Sequence, residues 1–204
     1  MRRQKRSRVS QIITFCHSYV ASAMSNSLES FNLPTKSFVF NAFYTFGKKC
    51  INTLEDVKSQ DKYNRKTIPK NIKIPDIPTN KKDIGYITSC IPYVEKNFSK
   101  NYGNTDNFIF PVTHKTAKEW LQDFIQNRFE KFGDYQDAII KEETFLFHSL
   151  LSTSINIGLL HPIDVINEVM KYRKKIPLNS LEGFIRQLFW REYQRYCYLY
   201  IDFD

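Results

Sequence analysis

Residues 148–154 read HSLLSTS, so that four hydroxyls, Ser149, Ser152, Thr153 and Ser154, fall close together behind a histidine. Hydroxyls and free backbone N–H groups at a helix entrance suit phosphate or pyrophosphate. The same composition suits a polar connection between two helices, and the stretch by itself leaves both readings open. His148 and Ser149 are neighbours in sequence, but adjacent residues of a helix do not face each other. No acidic residue stands where it would orient the imidazole, so a hydrolase site is not supported. The chain has no glycine-rich phosphate loop. Cys16, Cys50, Cys90 and Cys197 are far apart, and His17, His114, His148 and His161 form no H-x-x-x-H pair. No metal site is expected from that spacing, and the cysteines fit a reducing compartment better than a disulfide framework.

These residues need elements to hold them. Residues 9–30 read as an amphipathic helix with Ile12, Ile13, Val20 and Met24 apolar. Pro34 and Thr35 resemble a helix entrance, and Phe38, Phe40, Phe43, Tyr44 and Phe46 then form an aromatic ridge. From 54 to 83 the prolines Pro69, Pro75 and Pro78 and many lysines predict an extended linker over the surface. Beyond it, 91–97 reads as a short helix. Residues 113–131 form a longer one, with Thr116 and Glu119 as a capping box and Gly133 as a left-handed stop. Further helices are expected over 141–151, from Pro162 to Lys174, and from Asn179 onward, where Asn179 caps and Glu182 takes the third position. On this last helix Arg186, Trp190 and Tyr193 share a face, with Gln187 and Arg191 beside them. No period-two pattern stands out, and the fold reads as all-α.

With 204 residues, 42% hydrophobic, and with 12 Tyr and 17 Phe, the chain can bury one good core. Its net charge of +9 would attract nucleic acid or another polyanion. Five of the first eight residues are basic and no acidic residue precedes Glu29. That start reads as disordered sequence or a targeting segment; its apolar run, broken by Thr14, His17 and Ser18, is not a membrane span. The domain plan is a helical segment over 1–53, the linker over 54–83, and a helical domain over 84–204.

In order along the chain stand FNAFYTFGKK (40–49), DKYNRKTIP (61–69), FIFPVTHKTAKEWLQDFI (108–125) and FGDYQDAI (132–139). FLFHSLLSTSINIGLLHP (145–162) and IPLNSLEGFIRQLFWREYQR (176–195) complete the series. The series resembles the deoxyribodipyrimidine photolyase-related family, the iron–sulfur branch of the photolyase/cryptochrome superfamily. The resemblance implies part of an α-helical FAD-binding domain in which the flavin sits in a helical bowl. It implies that Tyr135, of FGDY, lies against the cofactor. His148, Ser149, Leu151 and Ser152 would hold the FAD phosphate, with Asn156 on the same connection and Arg191, in WRE, near the flavin. Gln187 and Trp190 match positions facing the lesion cavity, where an aromatic face can stack on a flipped base and a carboxamide can read its edge. Ordinary helix packing is the alternative for both.

The implied activity is light-driven, FAD-dependent DNA repair, by electron transfer to a pyrimidine dimer or 6-4 lesion. A cryptochrome-type photoreceptor and a truncated, non-catalytic remnant are the alternatives. The family's antenna domain and its iron–sulfur cysteines have no counterpart in these residues; Cys197 alone could not hold a four-iron cluster. The glycine usual before WRE is also missing. The expectation is therefore the N-terminal half of the flavin domain, inactive alone, completed by a separate chain, with damaged DNA as a partner and no membrane. An intracellular location, cytoplasmic or nuclear, is expected, with the N-terminal targeting segment left open.

Overall fold

The computed structural model describes residues 40–106 and 108–200. Its helices are α1 (Phe40–Cys50), α2 (Ile84–Phe98), α3 (His114–Asn127), α4 (Phe129–Tyr135), α5 (Ser152–Asn156), α6 (Pro162–Met170) and α7 (Leu178–Tyr200). Single 3-10 turns at Asp61–Tyr63 and Lys81–Asp83 punctuate the otherwise extended chain between α1 and α2. Among the described residues there is no strand, only an isolated bridge between Ile140 and Glu143. The architecture is all-α, in line with the helical periodicity. The helix expected over 9–30, the Pro34–Thr35 entrance and Phe38 lie outside the described residues.

α7 is the element on which α1, α4 and α6 pack. Its buried side, Leu181, Phe184, Ile185, Leu188 and Phe189, follows the three-and-four spacing of an amphipathic helix. α4 approaches it so closely that a Cβ on Gly133 would come within 2.5 Å of the Ser180 nitrogen. Gly133 is therefore inside α4 and serves this approach, where the sequence suggests a left-handed stop. The contact is tied by Ser180 Oγ, which accepts from Gly133 N–H and donates to the Glu130 carbonyl, each at 2.8 Å.

The one helix expected over 113–131 is two. At Arg128 the backbone leaves the helical region (φ −126°, ψ −27°). The buried Arg128 side chain bonds Asp123 at 2.6 Å. This break re-aims Phe129 and Phe132 towards Phe124 and Phe184, with ring centroids 4.9 to 5.9 Å apart. Aromatic clustering of this kind favours a break that a straight helix would not permit.

At the start of α3 the cap is Thr113, whose Oγ1 accepts from Thr116 N–H at 3.3 Å. Glu119, expected to complete a capping box with Thr116, instead pairs with Lys82. The reason is Asp83, 2% exposed, which accepts from Val112 N–H at 2.8 Å, Thr113 Oγ1 at 3.2 Å and Thr116 Oγ1 at 2.5 Å. Burial pushes the Asp83 carboxyl up, but the hydrogen bonds from Thr116, Val112 and Thr113 outweigh it and hold the group below its ordinary 3.8. A depressed carboxyl stabilises the fold above the unfolded value, and this contribution is lost as pH falls through the folded one. Asp83→Ala is expected to cost about 2–3 kcal/mol and to remove that acid sensitivity, read by thermal melts at neutral pH and below pH 4.

The helix expected over 141–151 is absent. The chain turns through the Ile140–Glu143 bridge and runs irregularly to Leu151, with Leu146 and Leu150 at left-handed φ of 44° and 59°. Along this irregular path Leu146 and Phe147 are both buried. At the other end of the domain α7 starts at Leu178 after Pro177, so Asn179 lies within the helix and bonds Asp134 at 2.8 Å in place of capping. Glu182 is fully buried rather than folded back on the helix end. The short helix expected over 91–97 is the longer α2, and the helix from Pro162 stops at Met170.

Candidate functional site

The candidate residues fall into two groups at the ends of the 148–156 connection. In the first, Tyr135 closes α4 with its ring tilted against Phe147, centroids 5.4 Å apart. The His148 ring meets Phe132 edge-on at 6.2 Å. Burial holds this imidazole below its ordinary 6.5, against the opposing charge of Asp137, so it is neutral at pH 7. Ser149 Oγ accepts from Leu151 N–H at 3.5 Å, and Leu151 itself is a core residue.

In the second group Arg191 Nε donates to Asn156 Oδ1 at 2.9 Å, while Arg191 NH1 pairs with Glu192. Ser152 and Asn156 are exposed on α5. The Thr153 and Ser154 hydroxyls and His161 Nδ1 are buried with no hydrogen-bond partner among the described residues. Between α5, α6 and α7 lies a cavity of about 40 Å³, lined by Ile155, Leu160, His161, Phe189, Arg191 and Arg195 among others. That volume suits about one water. α5 is five residues long, too short for its dipole to hold an anion. The groups here with the chemistry to meet a phosphate are the hydroxyls, Arg191 and Arg195.

Gln187 is exposed on α7. Trp190 is half-buried and stacks face to face on Phe40, with centroids 3.8 Å apart and planes 6° from parallel. The Tyr193 ring closes on the Trp190 edge at 5.5 Å. One face of the indole is thus taken by α1, which is the packing role weighed for it from the sequence.

Sequence reasoning missed the polar layer between the extended 54–83 stretch and α7. Glu182 Oε1 accepts from Tyr44 OH at 3.0 Å and Oε2 from Gln60 N–H at 2.9 Å. Arg186 donates to Asp61 Oδ1 at 2.6 Å. Beside them Asn64 is fully buried, and both polar atoms of its side chain, with Gln136 Oε1, have no partner among the described residues. A Cβ on Gly183 would meet Asn64 Nδ2 at 2.9 Å and Gln136 Oε1 at 3.4 Å. The only advance signal was the polar DKYNRK run itself, which carries no periodicity to mark Asn64 as buried.

A family model described as deoxyribodipyrimidine photo-lyase-related protein matches residues 21–110. A (6-4) photolyase of Agrobacterium fabrum is 43% identical over 111 residues, 53% of this chain and 22% of that protein. Over these stretches the chain is similar to the photolyase-related family. An uncharacterised protein of Acanthamoeba polyphaga mimivirus is 47% identical over 73 residues, 34% of this chain and 57% of its own length. The chain thus spans about a fifth of the bacterial photolyase and just over half of the viral relative. The family match ends before Tyr135, so the candidate residues rest on their own motifs and geometry. Among the described residues there is no cluster of side chains that could hold a metal ion, and no helix long and apolar enough to cross a membrane.

The family suggests a flavin, and the fit of these residues to one is partial. Buried hydroxyls without partners and a positioned arginine suit a phosphate. A cavity of about 40 Å³ does not admit an isoalloxazine, for which a pocket of roughly 300 Å³ or more is needed.

Proposed function

We propose that this chain supplies the phosphate-side wall of a flavin-binding photolyase-type domain, and that it acts in light-driven DNA repair when the rest of the domain is provided. The observation that carries the reading is Arg191 held by Asn156 of α5, the helix that also carries the buried, unpartnered hydroxyls of Thr153 and Ser154. Arg191 and the hydroxyls would hold the FAD phosphates, Tyr135 would lie against the cofactor, and neutral His148 would line the same connection without adding charge. The flavin would supply the electron transfer; the chain's own residues bind, orient and exclude water. The (6-4) photolyase relative makes a pyrimidine 6-4 lesion the first substrate to try. The net charge of +9 would favour the DNA backbone, with the salt dependence that implies.

The rest of the bowl is proposed to come from a second polypeptide, because the cavity between α5, α6 and α7 is by itself too small for a flavin. Gln187, exposed on α7, and the free side of Trp190 are the groups that would face the lesion. Within a cell this reading places the protein wherever DNA is repaired.

The test uses FAD and the full chain, with and without the C-terminal half of the bacterial relative. Flavin retention after desalting is expected with both present. Arg191→Ala should weaken it by about 10- to 100-fold, the worth of a charged hydrogen bond, and Arg191→Lys by less. Unchanged retention in Arg191→Ala would remove Arg191 from the site. Colourless protein from every combination would sink the flavin reading, and bound flavin with no repair of an illuminated lesion-bearing duplex would point to a photoreceptor.

A further inference from the structure

Asn64 is fully buried, and its backbone N–H donates to the Asp61 carbonyl at 3.0 Å. Neither atom of its carboxamide has a hydrogen-bond partner among the described residues. Gln136 Oε1 is buried and equally without one. The two side chains converge on one point of α7. A Cβ on Gly183 would stand 2.9 Å from Asn64 Nδ2 and 3.4 Å from Gln136 Oε1. Buried polar groups left unpaired are rare and costly, and nearly all are met by protein or by ordered water.

Other bonds fix the three walls of this site. Lys66, two residues after Asn64, donates from its N–H to the Asp134 carbonyl at 3.1 Å and from Nζ to the Asp134 carboxylate at 2.9 Å. Asp134 stands two residues before Gln136. Arg186, three residues after Gly183, holds Asp61 at 2.6 Å. The carboxamides are thus brought to the same side of α7 without being brought into a hydrogen bond with each other.

We propose that Asn64, Gln136 and the Cα of Gly183 bind one structural water, which accepts from Asn64 Nδ2 and donates to Gln136 Oε1. The site is uncharged and sets a donor beside acceptors, which suits a water better than an anion or a metal ion. A buried water takes two to four polar partners and the room of about one probe sphere, and a side chain at 183 would occupy that room. The water joins the extended 54–83 stretch, the end of α4 and α7. It rests on no part of the flavin reading, although it acts at the residue next to Tyr135.

Oxygen-17 relaxation dispersion of the full chain, which counts long-lived buried waters, tests the site together with thermal melts. Gly183→Ala should hold one such water fewer than the wild type and melt roughly 3–10 °C lower, because its methyl group expels the water and leaves two buried groups unpaired. Gly183→Ser adds the same Cβ, but its hydroxyl can meet both groups in the water's place. It should melt above Gly183→Ala, although serine is the poorer helix former. Gln136→Leu leaves position 183 as it is and should also lose one water, and it decides the matter if the Gly183 variants do not fold. Equal water counts in the wild type and in the variants that fold would overturn the proposal. So would Gly183→Ser melting at or below Gly183→Ala, or a crystal structure in which Asn64 Nδ2 bonds Gln136 Oε1 directly.

Discussion

Gly133→Ala is expected to cost at least about 3 kcal/mol, the upper end of the range for overpacked sites. The new methyl group would meet Ser180 N at 2.5 Å, Asn179 C at 2.6 Å and Ser180 Cα at 2.7 Å. All three are backbone atoms of α7, and no side-chain rotation can move them. Relief requires α4 and α7 to separate, which also stretches the two Ser180 hydrogen bonds and uncovers Phe132 and Phe184. For a chain of this size the loss corresponds to a fall in Tm of roughly 6–12 °C. Gly85→Ala is the control. A Cβ there meets nothing within 4 Å, and alanine favours a helix, so its melt should be unchanged or higher. Equal melting temperatures for the two variants would show that α4 and α7 are not so closely apposed.

Glu182→Ala should destabilise by about 3–5 kcal/mol, because it removes one member of a buried charged network and strands the others. The carboxylate is fully buried and receives the Tyr44 hydroxyl, the Gln60 amide and, at 3.6 Å, the Arg186 guanidinium. It therefore joins α1, the extended 54–83 stretch and α7 at one point. Burial, reinforced by the Glu182 charge and its hydrogen bond, pushes the Tyr44 phenol far above its ordinary 10.0. A raised acid stabilises the fold below the unfolded value and loses that contribution as pH rises above it, so alkaline melts should report the network. Glu182→Gln keeps an acceptor for Tyr44 and should lose only about 1–2 kcal/mol. A double-mutant cycle of Tyr44→Phe with Glu182→Gln should return a coupling of about 0.5–3 kcal/mol. Additive losses would mean that the tyrosine and the glutamate act separately.

Both positions were visible in the sequence, and both were read locally. Gly133 looked like a stop because glycine after a helical run usually is one, and Glu182 looked like a capping partner because it stands three residues after Asn179. Those readings use only neighbours along the chain. Each residue is instead occupied by a distant one, Gly133 by Ser180 and Glu182 by Tyr44 and Gln60. The irregular path over 141–151 escaped for a related reason. Its apolar residues suit a helix by composition, but its backbone turns through left-handed φ at Leu146 and Leu150, which no hydrophobic period describes. In the candidate site, Arg191 and Asn156 were picked as separate positions, and their direct contact follows from the packing of α5 beside α7.

What the sequence by itself determined was the helical class, the apolar faces of α3, α6 and α7, the extended character of the stretch after α1, and the resemblance to the photolyase-related family. These are written in periodicity, proline content and motif order, all of which act over a few residues. Only the tertiary structure decided that α3 and α4 part at Arg128, that Trp190 stacks on Phe40, and that a buried glutamate ties three elements together. It also left α2 without a fully buried residue. The division has one physical cause. Helix propensity and amphipathicity are local free energies, whereas close approach, buried charge and ring stacking depend on which distant groups the fold brings into contact.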